Sequence, residues 1–331
     1  MVKKELPSHL REDKLSEETK TLISSLVSYK DASRKLCNYQ GCWYYYNTLQ
    51  GVVNFQRNFK PQDSDIILAS FPKSGTTWLK ALTIALLERS KKNKDRSCDD
   101  IHHPLESDNP HGLVPFLEMN LFLKSSTPDL TNLSSPRLFS THMPLHTLQV
   151  PLKDSLCKIV YVWRNWKDVL VSIWHFTCIN LEETEAEGSF TLESMFDSFC
   201  SGVNYFGPSW ENVLSYWRGS LEDPKHVLFM RYEDLKAEPR GQIKRLAEFL
   251  ACPFSQEEED SGDVEKILEL CSLRNLSSLE INKTGTSNDV HNSSFFRKGE
   301  VGDWKNYLTP EMEKKIDNIV EEKLRGSGLK F

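Results

Sequence analysis

Short apolar runs alternate with longer helical patterns along much of this chain. The run Ile66–Ala69 is short and rich in β-branched residues, so it predicts a buried strand. Residues 79–87 are mostly apolar and include good helix formers, so they predict a helix. The same order of strand, polar turn and helix recurs at residues 157–176 and again from residue 226. This order predicts an α/β fold with a central parallel sheet flanked by helices.

The turn that joins the first strand to its helix has the composition of an anion-binding loop. Its polar members are Lys73, Ser74, Gly75, Thr76 and Thr77. The glycine lets the backbone approach a ligand, the lysine supplies a full positive charge, and the hydroxyl groups donate hydrogen bonds. The first N–H groups of the helix lack intrahelical partners, which also favours an anion. The turn predicts a phosphate cradle, and an ordinary helix cap formed by the same hydroxyls stays open as the alternative.

This turn does not fit the P-loop of nucleoside triphosphatases. That motif requires a Gly-Lys-Ser/Thr triplet, whereas Lys73 here precedes Gly75 and the sequence contains no such triplet. We therefore expect a P-loop-like cradle that does not hold magnesium as a P-loop does. A nucleotide kinase or triphosphatase remains an alternative, which magnesium-dependent nucleotide hydrolysis would favour.

Two later strand ends also carry groups suited to a phosphate. Arg164 follows the second predicted strand, and Ser172 lies eight residues further on, about two helical turns away. A guanidinium at a strand end can bind phosphate with two hydrogen bonds, or it can pair with a carboxylate such as Asp168. Tyr232 ends the third predicted strand, where it either reaches a ligand or packs in the core.

His142 follows another short apolar run, Leu138–Thr141. Ligands bind at the carboxyl ends of parallel strands, and histidine is suited to accepting a proton near neutral pH. The residue is therefore either a general base at the edge of the sheet or a histidine without a chemical role. The sequence pattern leaves both interpretations open.

A second cationic segment, Arg297-Lys298-Gly299, lies near the C-terminus. Adjacent basic residues are usually only solvated surface. Here, however, cationic or hydroxyl groups also follow successive predicted strands. This recurrence favours one shared anionic site over several unrelated surface groups.

The composition excludes several classes of protein. The chain of 331 residues has a net charge of −6, which argues against a nucleic-acid binder. It contains no apolar stretch of about 20 residues, so we expect no membrane span. The N-terminus lacks the apolar core of a secretory signal, which predicts a cytoplasmic protein with reduced cysteines.

The residues that commonly bind metals do not form a convincing ligand set. The eight cysteines contain no Cys-x-x-Cys pair, which argues against a zinc or redox site. His102, His103 and His111 have no carboxylate or cysteine at a ligand-like spacing on a helix. We therefore expect no metal.

The remaining segments allow coarser predictions. Residues 1–30 predict an N-terminal tail and a first helix, from Ser16 to about Ser28, that are partly mobile. Residues 90–100 and 285–294 are polar and predict loops, the second of them mobile. The aromatic segment 39–46 predicts core packing, with one wall of an apolar acceptor pocket as the alternative. A final helix is predicted at Pro310–Leu324.

Three motifs together resemble the soluble sulfotransferase family, and the chain looks most like its plant branch. They are Pro72-Lys73-Ser74-Gly75-Thr76-Thr77-Trp78, Arg164-Asn165-x-Lys167-Asp168 with Ser172, and Arg297-Lys298-Gly299-x-x-Gly302-Asp303-Trp304. The similarity runs from about residue 40 to the C-terminus and implies a single sulfotransferase domain over residues 31–331. It implies 3′-phosphoadenylyl sulfate (PAPS) as the sulfuryl donor, with no metal.

The resemblance also implies a role for each matched residue. Residues 73–77 would hold the 5′-phosphosulfate, with Lys73 stabilising the charge on the leaving oxygen. Trp78 would pack on the adenine and Tyr232 would lie near it. The 3′-phosphate would be held by Arg164, Ser172, Arg297, Lys298 and Gly299. His142 matches the catalytic base, which would take the proton of the acceptor hydroxyl.

Some implications of the resemblance remain open. The acceptor would be a small hydroxylated plant metabolite, such as a flavonoid, a steroid or a jasmonate-like compound. Leu273 stands where an aromatic residue is usual, which puts one adenine contact in doubt. Pro310 and Lys314 break the dimerisation signature of the animal members, so we expect a monomer. A catalytically silent binder of a nucleotide or hormone remains the alternative function.

Overall fold

The centre of the fold is a parallel sheet of four strands. The computed structural model of the protein describes residues 5–31, 34–94, 102–153, 155–181 and 190–330. The strands in these ranges are β1 Ser28–Asp31, β2 Arg34–Tyr39, β3 Cys42–Tyr45, β4 Ile66–Ser70, β5 Leu138–Thr141, β6 Lys158–Trp163, β7 Val227–Arg231, β8 Thr286–Ser287 and β9 Val290–His291. The central sheet has the order β5-β4-β6-β7, and each neighbouring pair is parallel. The predicted α/β fold around a parallel sheet is confirmed.

Both faces of this sheet are covered. Ile66 and Leu68 of β4 pack into one apolar core, whereas Ile67 and Ala69 pack into another on the opposite face. All five residues of β4 are buried. Since successive side chains of a strand point to opposite faces, a strand between two cores must be apolar throughout, which is why it appears in the sequence as a continuous apolar run.

Helices cover the two faces and connect the strands. They are α1 Glu17–Ser25, α2 Tyr46–Asn58, α3 Thr76–Lys94, α4 Pro104–Ser107, α5 Pro110–Leu113, α6 Phe122–Lys124, α7 Leu145–Leu148, α8 Trp166–Leu181, α9 Leu192–Ser201, α10 Ser209–Glu222, α11 Tyr232–Ala237, α12 Pro239–Phe249, α13 Gln256–Asp260, α14 Asp263–Leu270, α15 Leu273–Ser278, α16 Glu280–Thr284 and α17 Pro310–Leu324. The strand–turn–helix order predicted around residues 66–87 and 157–176 is confirmed. The last helix has the predicted bounds, and Thr309 caps its N-terminus by accepting a hydrogen bond from Met312 N–H.

The N-terminal helix is shorter than predicted. It begins after its cap, Ser16, but ends at Ser25, because Ser28 pairs with Cys37 in the antiparallel sheet β1-β2-β3. Before the helix, Asn47 Nδ2 of α2 donates to the Ser8 carbonyl oxygen at 2.8 Å. The segment 8–10 therefore lies against α2, while the mobility of residues 1–30 stays a prediction.

Two loop predictions are wrong. Helix α3 continues to Lys94, so residues 90–94 are helical and residues 95–100 lie outside the described ranges. The predicted loop 285–294 contains the hairpin β8-β9 instead. Asn288 and Asp289 occupy its turn with φ of 57° and 64°, the conformation of a two-residue type I′ turn, which asparagine and aspartate tolerate. Polar residues thus mark a regular turn here.

Candidate functional site

A cavity of about 780 Å³ lies at the carboxyl ends of the four central strands. Its walls include a residue just beyond each strand, namely Lys73, His142, Arg164 and Tyr232. Further predicted residues on its walls are Gly75, Thr76, Thr77, Trp78, Ser172, Arg297 and Gly299. Of the predicted site residues, Ser74 and Lys298 do not line the cavity. The fold thus gathers side chains from distant parts of the chain at one edge of the sheet.

The turn between β4 and α3 is held in an unusual backbone conformation. Lys73 has φ of 67° and Gly75 has φ of 110°, both in the left-handed region that disfavours most side chains. A Cβ atom at Gly75 would lie 2.8 Å from Tyr232 Cδ2, so a larger residue would have to displace the Tyr232 ring. Ser74 Oγ is buried and has no hydrogen-bond partner among the described residues. An unpartnered buried hydroxyl beside a helix N-terminus fits an anionic ligand.

Lys73 lies among other positive charges. Its Nζ is 4.1 Å from the centroid of the Phe176 ring, which it contacts as a cation over an aromatic face. Burial, together with the charges of Arg164 and Arg297, lowers the pKa of Lys73 to about 7. The site therefore concentrates positive charge, and an anion bound there would favour the protonated amine.

Arg164 is partly committed to contacts within the protein. Its Nη2 donates to the Glu300 carbonyl oxygen at 2.6 Å and lies 3.9 Å from the Asp168 carboxylate. Its guanidinium carbon lies 4.5 Å from the centroid of the Tyr232 ring. The buried Nε has no partner among the described residues. The structure thus contains the carboxylate contact considered from the sequence and leaves the Nε donor unpartnered within the described ranges.

Asp303 organises the C-terminal cationic segment. Its buried carboxylate accepts hydrogen bonds from Arg297 Nη1 at 2.5 Å and from Lys298 Nζ at 2.7 Å. Burial would raise the pKa of Asp303, but the hydrogen bonds from Lys298 and Arg297 lower it to about 2. Arg297 lines the cavity, whereas Lys298 does not, although both side chains bond to this carboxylate.

Trp78 and Tyr232 form an aromatic side of the cavity. Their rings meet edge to face with centroids 5.7 Å apart, and Tyr232 Oη donates to the Gly299 carbonyl oxygen at 2.9 Å. Tyr232 begins α11 and therefore does not lie within β7. Leu273 also lines the cavity, and a Cβ at Gly299 would lie 3.1 Å from its Cδ2. The surface beside Gly299 is thus aliphatic where the resemblance implied an aromatic residue.

His142 is oriented by backbone and side-chain contacts. Its Nδ1 lies 2.6 Å from the Ser70 carbonyl oxygen, which can only accept a hydrogen bond, so Nδ1 carries the proton. The other nitrogen, Nε2, is then the basic one. Burial is the main reason that the pKa of His142 falls to about 3, so the imidazole is neutral at pH 7.

Three buried polar residues beside this site were not assigned a role from the sequence. Glu118 Oε1 accepts from the His142 backbone N–H at 2.9 Å, and burial raises the pKa of Glu118 to about 7. Lys80 Nζ lies 3.1 Å from His111 Nδ1, and His111 Nε2 lies 2.8 Å from Thr77 Oγ1. A lysine inside an apolar helix and a glutamate inside an apolar run were signals present in the sequence.

Aromatic rings pack around His142, and one of them, Phe116, lines the cavity. The rings of Phe116 and Phe206 have centroids 4.8 Å and 5.3 Å from the imidazole. In the predicted aromatic segment 39–46, Tyr44 is fully buried in the core, whereas Tyr45 lines the cavity. Core packing therefore holds for Tyr44, and Tyr45 lies on the cavity wall that the alternative interpretation requires.

Two further observations concern metal sites and membrane-spanning helices, both of which were considered from the sequence. Within the described ranges, no group of three or more histidine, cysteine, aspartate or glutamate residues is arranged to hold a metal ion. No helix in that part of the chain is sufficiently long and apolar to cross a membrane.

Comparison with known proteins identifies the family. A model of the sulfotransferase domain matches residues 63–328. Cytosolic sulfotransferase 1 of Arabidopsis thaliana is 67% identical, over 99% of this chain and 99% of the relative. The crystal structure of an Arabidopsis thaliana protein assigned as a candidate steroid sulphotransferase has a TM-score of 0.75 at 40% identity, covering 99% of this chain and 100% of that one. The mouse sulfotransferase SULT7A1, crystallised in complex with PAP, has a TM-score of 0.67 at 27% identity, covering 88% and 95%. The resemblance is confirmed, and the chain belongs to the plant branch of the sulfotransferase family.

Proposed function

We propose that this sulfotransferase moves the sulfuryl group of PAPS to a hydroxyl group of a small plant metabolite, with His142 as the base. The observation that supports this most directly is the hydrogen bond from His142 Nδ1 to the Ser70 carbonyl oxygen. It leaves Nε2 as the basic nitrogen, in the same cavity as Lys73. The PAP complex of the mouse relative supports PAPS as the donor.

The residues present fit a nucleotide with two anionic groups. Lys73, in the turn before α3, suits one group, and the guanidinium groups of Arg164 and Arg297 on the cavity wall suit the other. In the proposal, residues 73–77 hold the 5′-phosphosulfate. The 3′-phosphate is held by Arg164, Ser172, Arg297 and Gly299, with Lys298 acting through Asp303. Trp78 and Tyr232 contact the adenine.

The donor supplies, when bound, a sulfuryl group attached to a phosphate leaving group. His142 Nε2 accepts the proton of the acceptor hydroxyl, and its neutral state at pH 7 is the form that this step requires. Lys73 offsets the negative charge on the leaving phosphate oxygen, which is electrostatic stabilisation by a group already in place. The carbonyl oxygen of Ser70 keeps the imidazole in the required tautomer.

The shape of the acceptor end favours a flat apolar molecule. Phe116 and Tyr45 line the cavity together with His142, and apolar rings suit a flavonoid, a steroid or a jasmonate-like acceptor. The Arabidopsis thaliana relative of known structure is described as a candidate steroid sulphotransferase. These three classes are the acceptors to screen first.

The relatives named cytosolic sulfotransferases agree with the cytoplasmic location expected from the sequence.

We also propose that the protein is a monomer, because Pro310 and Lys314 break the dimerisation signature. A dimer mass in solution at micromolar concentration would contradict this.

Replacement of the base tests the mechanism. We expect His142→Ala to lower turnover with labelled PAPS by about 10²–10⁴-fold, the usual contribution of a general base, with little change in PAP affinity. The exposed His146, whose ring bonds only to the Gln40 carbonyl oxygen among the described residues, provides a matched control in His146→Ala. Equal turnover of both variants would contradict the role of His142, and a wild type that binds PAP without turnover on any acceptor would favour the silent binder.

Calorimetry with PAP tests the donor site. We expect Arg164→Ala to weaken PAP binding by about 1.5–3 kcal/mol, the contribution of a hydrogen bond to a charged group. The exposed Arg274 provides the control variant Arg274→Ala, which should bind like the wild type. Unchanged affinity of Arg164→Ala would remove this residue from the proposed 3′-phosphate site.

A further inference from the structure

A chain of hydrogen bonds runs from the core to the donor end of the cavity through Lys80, His111 and Thr77. Lys80 Nζ is fully buried and donates to the Val114 carbonyl oxygen at 2.8 Å. The same Nζ lies 3.1 Å from His111 Nδ1, and His111 Nε2 lies 2.8 Å from Thr77 Oγ1. Both His111 and Thr77 line the cavity.

The ring of His111 is held rigidly. Phe295 stacks on it with centroids 4.1 Å apart, and Phe116 lies near it with centroids 5.7 Å apart. The His111 backbone N–H donates to Asn109 Oδ1 at 2.8 Å. Because both ring nitrogens are also bonded, the imidazole has one orientation and no nitrogen left to accept a substrate proton.

The position of Lys80 is costly for stability alone. Removing an ammonium group from water costs several kcal/mol, and an apolar residue of the same length would avoid that cost. The Phe116 ring, 3.8 Å from Nζ, compensates in part. Thr77 and Lys80 are three residues apart on α3 and so share one face of the helix. This arrangement suggests that Lys80 acts on the part of the cavity that Thr77 lines.

We propose that Lys80 and His111 are positioning residues that orient the Thr77 hydroxyl toward the donor. An ammonium group can only donate, so Nδ1 of His111 must accept and its proton must lie on Nε2. Nε2–H then donates to Thr77 Oγ1, which leaves the hydroxyl hydrogen of Thr77 to be given to an oxygen of the phosphosulfate. The inference rests on the proposed function, since it needs PAPS as the ligand.

The tautomer of His111 is the first test. Burial lowers the pKa of Lys80 well below its ordinary value, and the charge of Glu118 opposes this shift. A neutral amine could accept from Nδ1–H, and the hydrogen bonds would then run in the opposite direction. In ¹⁵N spectra of histidine-labelled protein, assigned with His111→Gln, we expect a proton on Nε2. A proton on Nδ1 would overturn the proposal.

A double-mutant cycle in PAP binding is the second test. We expect Thr77→Val and His111→Phe each to raise the Kd for PAP by about tenfold or more, as for a lost hydrogen bond to a charged group. Because His111 acts through Thr77, the double variant should bind no more weakly than Thr77→Val alone. The inference would be overturned if the double variant raised the Kd by the product of the two single effects. It would also be overturned if His111→Phe bound PAP with the Kd of the wild type. A wild type that does not bind PAP would instead refute the proposed function.

Two further variants separate positioning from packing. In His111→Gln the side-chain amide places a donor near the former Nε2, so it should bind PAP more tightly than His111→Phe. Lys80→Met keeps the length of the side chain without the buried charge. We expect its melting temperature to be at least that of the wild type while its Kd for PAP rises by about tenfold. A lower melting temperature with an unchanged Kd would show that Lys80 serves only the fold. His103→Gln, on the neighbouring α4 cap and outside the cavity, should leave PAP binding unchanged.

Discussion

The lowered pKa of Lys73 makes the pH dependence of PAP binding a sharp test of the donor site. Without ligand, the amine has a pKa of about 7, because it is buried beside Arg164 and Arg297. A bound phosphate or sulfate group would favour the ammonium form and raise that pKa. Binding above pH 7 must therefore take up a proton.

The size of the effect follows from linkage. At pH 8, about nine-tenths of a group with a pKa near 7 is deprotonated, so PAP binding should take up about 0.9 proton. Affinity should fall as the pH rises, because the free protein must first be protonated. Between pH 7 and pH 9 the protonated fraction falls about 50-fold, which corresponds to about 2.3 kcal/mol of binding free energy.

Calorimetry in buffers of different ionisation enthalpy measures the proton uptake directly. Lys73→Arg is the matched control, since arginine stays charged over this range and should abolish both the uptake and the pH dependence. The phosphate groups of PAP have lost their protons well below pH 8 and contribute little. Wild-type binding at pH 8 without proton uptake would refute the placement of an anionic group beside Lys73.

Two further predictions concern the conformation of the site. Gly75→Ala should lower the free energy of unfolding by about 1–3 kcal/mol and weaken PAP binding, because it adds strain at positive φ and a contact with Tyr232; urea denaturation measures the first effect. Gly41→Ala is the control, because φ there is 79° but no atom of the described residues lies within 4 Å of the new Cβ. Its loss of unfolding free energy therefore measures the backbone strain alone. Asp303→Asn should destabilise the protein at pH 7 and weaken PAP binding by releasing Arg297. Because the pKa of Asp303 is lowered to about 2, the stability difference should be present above pH 4 and should shrink as the pH falls toward 2.

The features predicted well from the sequence are those set by local chemistry. The apolar run of β4 and the glycine and hydroxyl residues before α3 lie within twenty residues of each other, and the structure places them as predicted. The errors also have local causes. Residues 90–94 extend α3 because no proline or glycine stops it, and the polar residues 288 and 289 form a hairpin turn.

Contacts between distant segments could not be predicted in the same way. Lys80 stands out in its apolar helix, but its role could not be predicted because its partners, His111 and Val114, lie more than thirty positions away. The two carboxylate oxygens of Glu118 meet residues 141 and 142, which belong to another strand end. A pattern of single residues shows only that such a side chain is unusual in its segment, whereas its role depends on which other elements the fold brings to it.

The choice between two histidines illustrates this limit. His111 and His142 both line the cavity. The nitrogens of His111 are both bonded, to Lys80 and to Thr77. His142 uses only Nδ1, on a carbonyl oxygen of β4. Of these two histidines, His142 is therefore the one that combines a defined tautomer with an open basic nitrogen. Its suitability as the base derives from Ser70, a residue 72 positions earlier whose side-chain type is irrelevant to the contact.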